Sequence, residues 1–161
     1  MSLSTLYFGP ETAMDDILIS MLQLGRKGYN CSQIIVLLGL ELRGETNPLL
    51  VRAMGGLAYG CGCGHGTCGV FTGGCCLLAL YAGKGRDEEA PSDRLELMLR
   101  ELNDWFCIHA DCDQGDMSCQ VIVGEAGPAA SGQRCGALLA DTYAKVMDIL
   151  TANGIDPENP E

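Results

Sequence analysis

Basic residues are scarce in this sequence: Lys and Arg number 10 against 21 Asp and Glu, a formal net charge of −11. A nucleic-acid binder needs a basic footprint to displace counterions from phosphates, so no nucleic-acid partner is expected. The same deficit sets the chain against an anionic lipid surface. Long apolar runs are missing as well. The longest charge-free apolar stretch lies within Val70–Ala82, short of the roughly 20 residues that a spanning helix needs, so no membrane insertion is expected. No basic residue precedes Arg26, and residues 1–16 resemble neither a secretory signal nor a transit peptide. A cytoplasmic location is the expectation.

Histidine is limited to His65 and His109, and no Ser-His-Asp constellation, phosphate loop or carboxylate pair is evident. Nor does any C-x-x-C occur, which removes thioredoxin-type motifs, paired zinc knuckles and covalent haem attachment. The bacterial and plant ferredoxin spacings are absent too.

Ten cysteines are what the chain does have. A cytosolic compartment keeps most thiols reduced, so this density points to metal, a cluster or thiol chemistry rather than to a disulfide framework. Cys75 and Cys76, inside an apolar stretch, read as core, a role that small apolar thiols often fill.

Periodicity favours helices nearly throughout. Met14, Ile17, Leu18, Met21 and Leu22 follow helical spacing after Pro10, until Gly25 and Gly28 stop them. Cys31, Ile34, Ile35, Leu38 and Leu42 form a second stripe ending at Gly44, and a third helix is expected from Pro48 toward Ala58. A Cys/Gly-rich loop lies within Gly55–Gly74, where glycine permits positive φ and close backbone approach. A helix over Cys68–Ala82 follows despite Gly69, Gly73 and Gly74, which a closely packed neighbouring helix would make tolerable. Leu95–Phe106 is amphipathic behind Ser92 or Asp93, and Cys135–Leu150 forms the last stripe, closing at Gly154. No strand pattern of useful length appears. The expectation is an all-α, single compact domain of five or six main helices over residues 1–154, with a loose tail over 155–161.

Asn30, Thr67 and Ser118 are N-cap residue types that directly precede Cys31, Cys68 and Cys119. Each cysteine is therefore expected at a first helical position, where unpaired N–H groups favour thiolate over thiol. Gln33 stands where a capping box places its reciprocal partner. Cys135, four residues after Ser131, joins them near the start of the last helix. Cys63-x-His65-x-x-Cys68-x6-Cys75 repeats the spacing of Cys107-x-His109-x-x-Cys112-x6-Cys119. Cys61, Cys63, His65, Cys107, His109 and Cys112 are secondary candidates as zinc or iron ligands. His109 also extends the apolar stripe of its helix, where a packed core histidine is the commoner outcome.

These residues resemble a small family of putative redox-active proteins named for its cysteine pattern C, GCAxxG, C, C. Asn30-Cys31-Ser32-Gln33 is similar to its first block and Cys68-Gly69-Val70-Phe71-Thr72-Gly73 to its central one. Ser118–Gly124 and Arg134-Cys135 are similar to the third and fourth. Val70 stands where the family usually has alanine. The resemblance implies an all-helical domain in which Cys31, Cys68, Cys119 and Cys135 are the functional set.

Three readings follow. The first is a thiol redox protein passing electrons or sulfur through those four, working with a redox partner protein or a small thiol or sulfur compound. The second is an iron–sulfur or zinc protein using the same sulfurs, and the third a module that metal merely stabilises. The four cysteines are expected to converge in space. Self-association as a homodimer is expected from the apolar, glycine-broken Val70–Ala82 segment, which would need covering.

Overall fold

The structure, a computed structural model, describes residues 10–124 and 132–159. The helical stripes become α1 (Pro10–Arg26), α2 (Cys31–Leu42), α3 (Pro48–Met54), α4 (Gly69–Ala82), α5 (Leu95–His109), the short α6 (Cys119–Val123) and α7 (Gly132–Ala152). Among the described residues the only β-type pairing is one isolated antiparallel bridge, Thr67 with Ser118.

Helix α4 runs through the middle, packed against α2, α5 and α7. Its glycines make this possible. A Cβ on Gly73 would collide with Ile35 and lie 3.1 Å from Ser32 Cα, and one on Gly74 would lie 3.1 Å from both Leu102 and Thr142. The helix-propensity cost of these glycines is offset by interhelical packing at native density. Val70, Leu77 and Leu78 are fully buried there, beside Ile35, Met98, Leu102, Phe106 and Val146. One face of the apolar segment is thus covered within the chain, while Phe71, Cys75, Cys76 and Leu80 on it are half-buried.

Several helix ends differ from the sequence reading. Helix α1 runs through Gly25 to Arg26 and stops at Gly28, whose φ is +91°. It buries Met21 and Leu24 and leaves Leu18 and Leu22 exposed, so its inward stripe is rotated from the one expected. Helix α3 ends at Met54 and tightens into a 3-10 turn over Gly55–Leu57, and the helical path stops where Ala58 becomes extended. Ser92 Oγ accepts the N–H of Arg94, one residue before α5 starts. Ser131, the expected cap of α7, lies outside the described residues.

Candidate thiol site

Cys31 opens α2 and Cys119 opens α6, as their capping contexts indicate. Cys68 does not open α4. It is the N-cap itself and makes no side-chain cap hydrogen bond, though the Val70 and Phe71 amides lie close enough to favour its thiolate. Cys135 is the fourth residue of α7. At α2 the reciprocal half of the capping box forms, Asn30 N–H donating to Gln33 Oε1 at 3.1 Å.

Two devices bring these sulfurs together. The first is Gly69: a Cβ there would sit 2.7 Å from Cys31 Sγ and 3.0 Å from Leu57 O. Only a residue without a side chain lets Cys31 reach the N-terminus of α4. The second is the Thr67–Ser118 bridge. Cys68 N–H donates to Met117 O at 2.8 Å and Cys119 N–H to Gly66 O at 3.0 Å, which locks the two cysteine-bearing turns side by side.

A left-handed turn completes the wall. Tyr59, Gly60, Cys61 and Gly62 have φ of 55°, 60°, 58° and 80°. A non-glycine residue in this region costs about 1–2 kcal/mol, and here the turn is anchored on the site. The Tyr59 N–H points at Cys31 Sγ, and its OH donates to Asn30 Oδ1 at 3.0 Å. The Cα of Gly60 faces Cys119, whose Cβ would lie 3.1 Å from an added Cβ. Tyr59 and this handedness were not legible in the sequence; the alternating Gly60, Gly62 and Gly64 were the available signal.

The electrostatics overturn the expectation of stabilised thiolates. Burial pushes the Cys68 thiol up to about 12, and charge on Cys31 or Cys119 would push it further, against the pull of the Val70 and Phe71 amides. Burial likewise raises Cys31, opposed by the Tyr59 and Ser32 amides and aided by Cys135. Cys119 is raised by burial, then by Cys31 and Cys135. Helix N-termini do supply donors, but desolvation outweighs them. The same mutual effects join all four sulfurs into one electrostatic group.

The secondary candidates lie elsewhere. Cys61, Cys63 and His65 are exposed on the glycine-rich loop, with Cys63 Sγ donating to Gly60 O at 3.3 Å. His109 is exposed rather than a packed core histidine. It stacks on Trp105 with ring centroids 4.5 Å apart, and its Nε2 meets Asp141 Oδ2 at 2.9 Å, tying α5 to α7. Cys75 and Cys76 pack half-buried against the core, and burial pushes Cys75 up to about 12. Cys107 and Cys112 flank the turn that closes α5, where Cys112 N–H donates to Cys107 O at 3.1 Å. Among the described residues, no group of three or more His, Cys, Asp or Glu side chains is arranged to hold a metal ion, and no helix is long and apolar enough to cross a membrane.

No curated protein and no solved structure matches this chain. The family profile described as "Putative redox-active protein (C_GCAxxG_C_C)" matches residues 29–149. That span holds all four convergent cysteines and the glycines that seat them, so the chain belongs to the C_GCAxxG_C_C family.

Proposed function

We propose that Cys31, Cys68, Cys119 and Cys135 act as one thiol–disulfide exchange site. The observation that carries this reading is that Gly69 seats Cys31 Sγ at the start of α4 while the Thr67–Ser118 bridge holds the Cys68 and Cys119 turns side by side. Cys135 is near enough to raise the thiols of Cys31 and Cys119. Cys31 and Cys135 are half-buried whereas Cys68 and Cys119 are buried, so exchange starts at the outer sulfurs and passes inward. An outer thiolate attacks the disulfide of a partner protein or small sulfur compound, forming a mixed disulfide and releasing one thiol. A second thiol of the set gives up its proton, attacks the mixed disulfide and releases the other thiol. The site loses two electrons and two protons, and the external disulfide gains them.

Raised thiol pKa values bear on the direction of this exchange. Oxidising disulfide proteins owe their potential to a stabilised reduced form. Burial withholds thiolate stabilisation from Cys31, Cys68 and Cys119, so the couple is a reducing one.

The test is to oxidise anaerobically purified protein with a small disulfide, quench with acid, and alkylate the remaining thiols. Two cysteines of the set become protected in the parent chain. Cys68→Ser abolishes that protection, whereas Cys76→Ser, a half-buried core position, leaves it intact. Identical behaviour of the two variants, or stoichiometric iron or zinc in the purified protein, refutes the reading.

A further inference from the structure

Outside the four-cysteine group, a second pair of thiols meets at the C-terminal end of α5. The helix closes with Ala110 N–H on Phe106 O at 2.8 Å and Cys112 N–H on Cys107 O at 3.1 Å. Between them Asp111 takes a positive φ of 52°. This is the reversal in which an N–H bonds back five residues, and it brings the side chains at its two ends together. Here those side chains are both cysteines. The titratable groups that act on the Cys112 thiol are Cys107, Asp116 and Asp111, and none of the thiols of the four-cysteine site. Both sulfurs are half-buried, so a small reagent can reach them.

We infer that Cys107 and Cys112 form a second dithiol/disulfide couple, separate from the four-cysteine site, whose exchange partner is a neutral or cationic small-molecule disulfide. Cys107 attacks first, because Cys112 is the thiol that burial and its neighbours hold protonated: the Cys107 thiolate takes one sulfur of the disulfide and the other leaves as a thiol. Cys112 then loses its proton to solvent and attacks Cys107 Sγ, closing the protein disulfide and releasing the second thiol. Two electrons and two protons pass from the pair to the external disulfide. Burial, then Cys107 and the two carboxylates, push the Cys112 thiol up to about 11, which makes the closing step the slow one near neutral pH and base-accelerated. The carboxylates also set the charge preference, because an anionic disulfide would approach Asp111, Asp116 and a chain of net charge −11.

Cleavage on the N-terminal side of aspartate isolates Cys107 in residues 104–110 and Cys112 in 111–112, and leaves Cys119 together with Cys135 in 116–140. The reduced full-length protein is treated with cystamine, quenched with acid, digested and weighed. The expected product is the 104–110 and 111–112 peptides joined, lighter by two hydrogens than their sum. The joined pair forms several-fold faster with cystamine than with oxidised glutathione at low salt, and the gap narrows as salt rises. Cys112→Ser accumulates the mixed disulfide on Cys107. Cys119→Ser forms the joined pair at the parent rate, which separates this result from any failure of the four-cysteine site. Separate adducts on Cys107 and Cys112 in the parent chain, or Cys112 joined to the 116–140 peptide, overturn the inference; equal rates with the two reagents at low salt overturn its charge preference.

Discussion

Gly69→Ala is the sharpest perturbation that the geometry offers. The added methyl would stand 2.7 Å from Cys31 Sγ, 3.0 Å from Leu57 O and 3.2 Å from Ala58 Cα. Ordinary contact lies near 3.5–4.0 Å, so the sulfur must retreat by about 1 Å, and two of the three obstacles are backbone. Overpacking of this kind costs about 1–3 kcal/mol. Gly69 is the first residue of α4, so little of the roughly 1 kcal/mol that alanine gains in a helix interior is returned there, and the net loss stays about 1–3 kcal/mol. For a chain of this length each kcal/mol moves Tm by about 2–4 °C, so a fall of about 2–12 °C is expected. Gly136→Ala is the matched control: it also lies in a helix, but nothing stands within 4 Å of its added methyl. There the propensity gain acts alone, and Tm should rise by up to about 4 °C. Both variants are read by thermal unfolding followed in far-UV circular dichroism, under reducing conditions. A Gly69→Ala protein as stable as the parent would refute the claim that Cys31 is seated by the missing side chain.

Stability should also fall at alkaline pH. Below pH 9.0 the Cys68 thiol is protonated folded or unfolded, but from there to about 12 only the folded chain keeps the proton. This thiol alone therefore removes up to about 1.4 kcal/mol per pH unit across that window, and Cys31 and Cys119 add in the same direction. Urea unfolding at stepped pH should show that slope, and Cys68→Ser should reduce it by up to about 1.4 kcal/mol per pH unit while the shares of Cys31, Cys119 and Cys75 remain. Ser32, fully buried, donates its hydroxyl to Met54 O at 2.7 Å. Ser32→Ala removes that buried hydrogen bond and should cost about 0.5–1.5 kcal/mol with an unchanged denaturant slope; a loss within error would mean that the bond contributes nothing net to stability.

Helix periodicity was legible because core-facing residues recur at fixed intervals, and Met98, Leu102 and Phe106 all fall inward. The inward face of α1 was harder to place, since Leu18 and Leu22 are as apolar as Met21 and Leu24 and only tertiary packing separates them. At the site, cap-forming residues pointed to Cys31 and Cys119, but they misplaced Cys68 by one position. Thr67 is paired across to Ser118, a long-range contact that no local pattern encodes. The thiol pKa values went the other way for a related reason. Capping context shows the amides that stabilise a thiolate, whereas the burial that outweighs them depends on which helices close over the sulfur. The Tyr59–Gly62 turn was illegible because neither Tyr59 nor Cys61 favours the left-handed conformation that it adopts.

The four sulfurs are spread along the chain from Cys31 to Cys135, with consequences for biosynthesis. A ribosome adds about 5–20 residues per second, so roughly 5–20 s separate the appearance of the first thiol from that of the last. Once Ala82 has been added, α2 and α4 can dock through Gly69 and Gly73, yet the group still lacks the member that α7 brings. The pocket is finished by the final helix, and the three earlier thiols wait for it on a nascent chain exposed to whatever oxidants surround the ribosome.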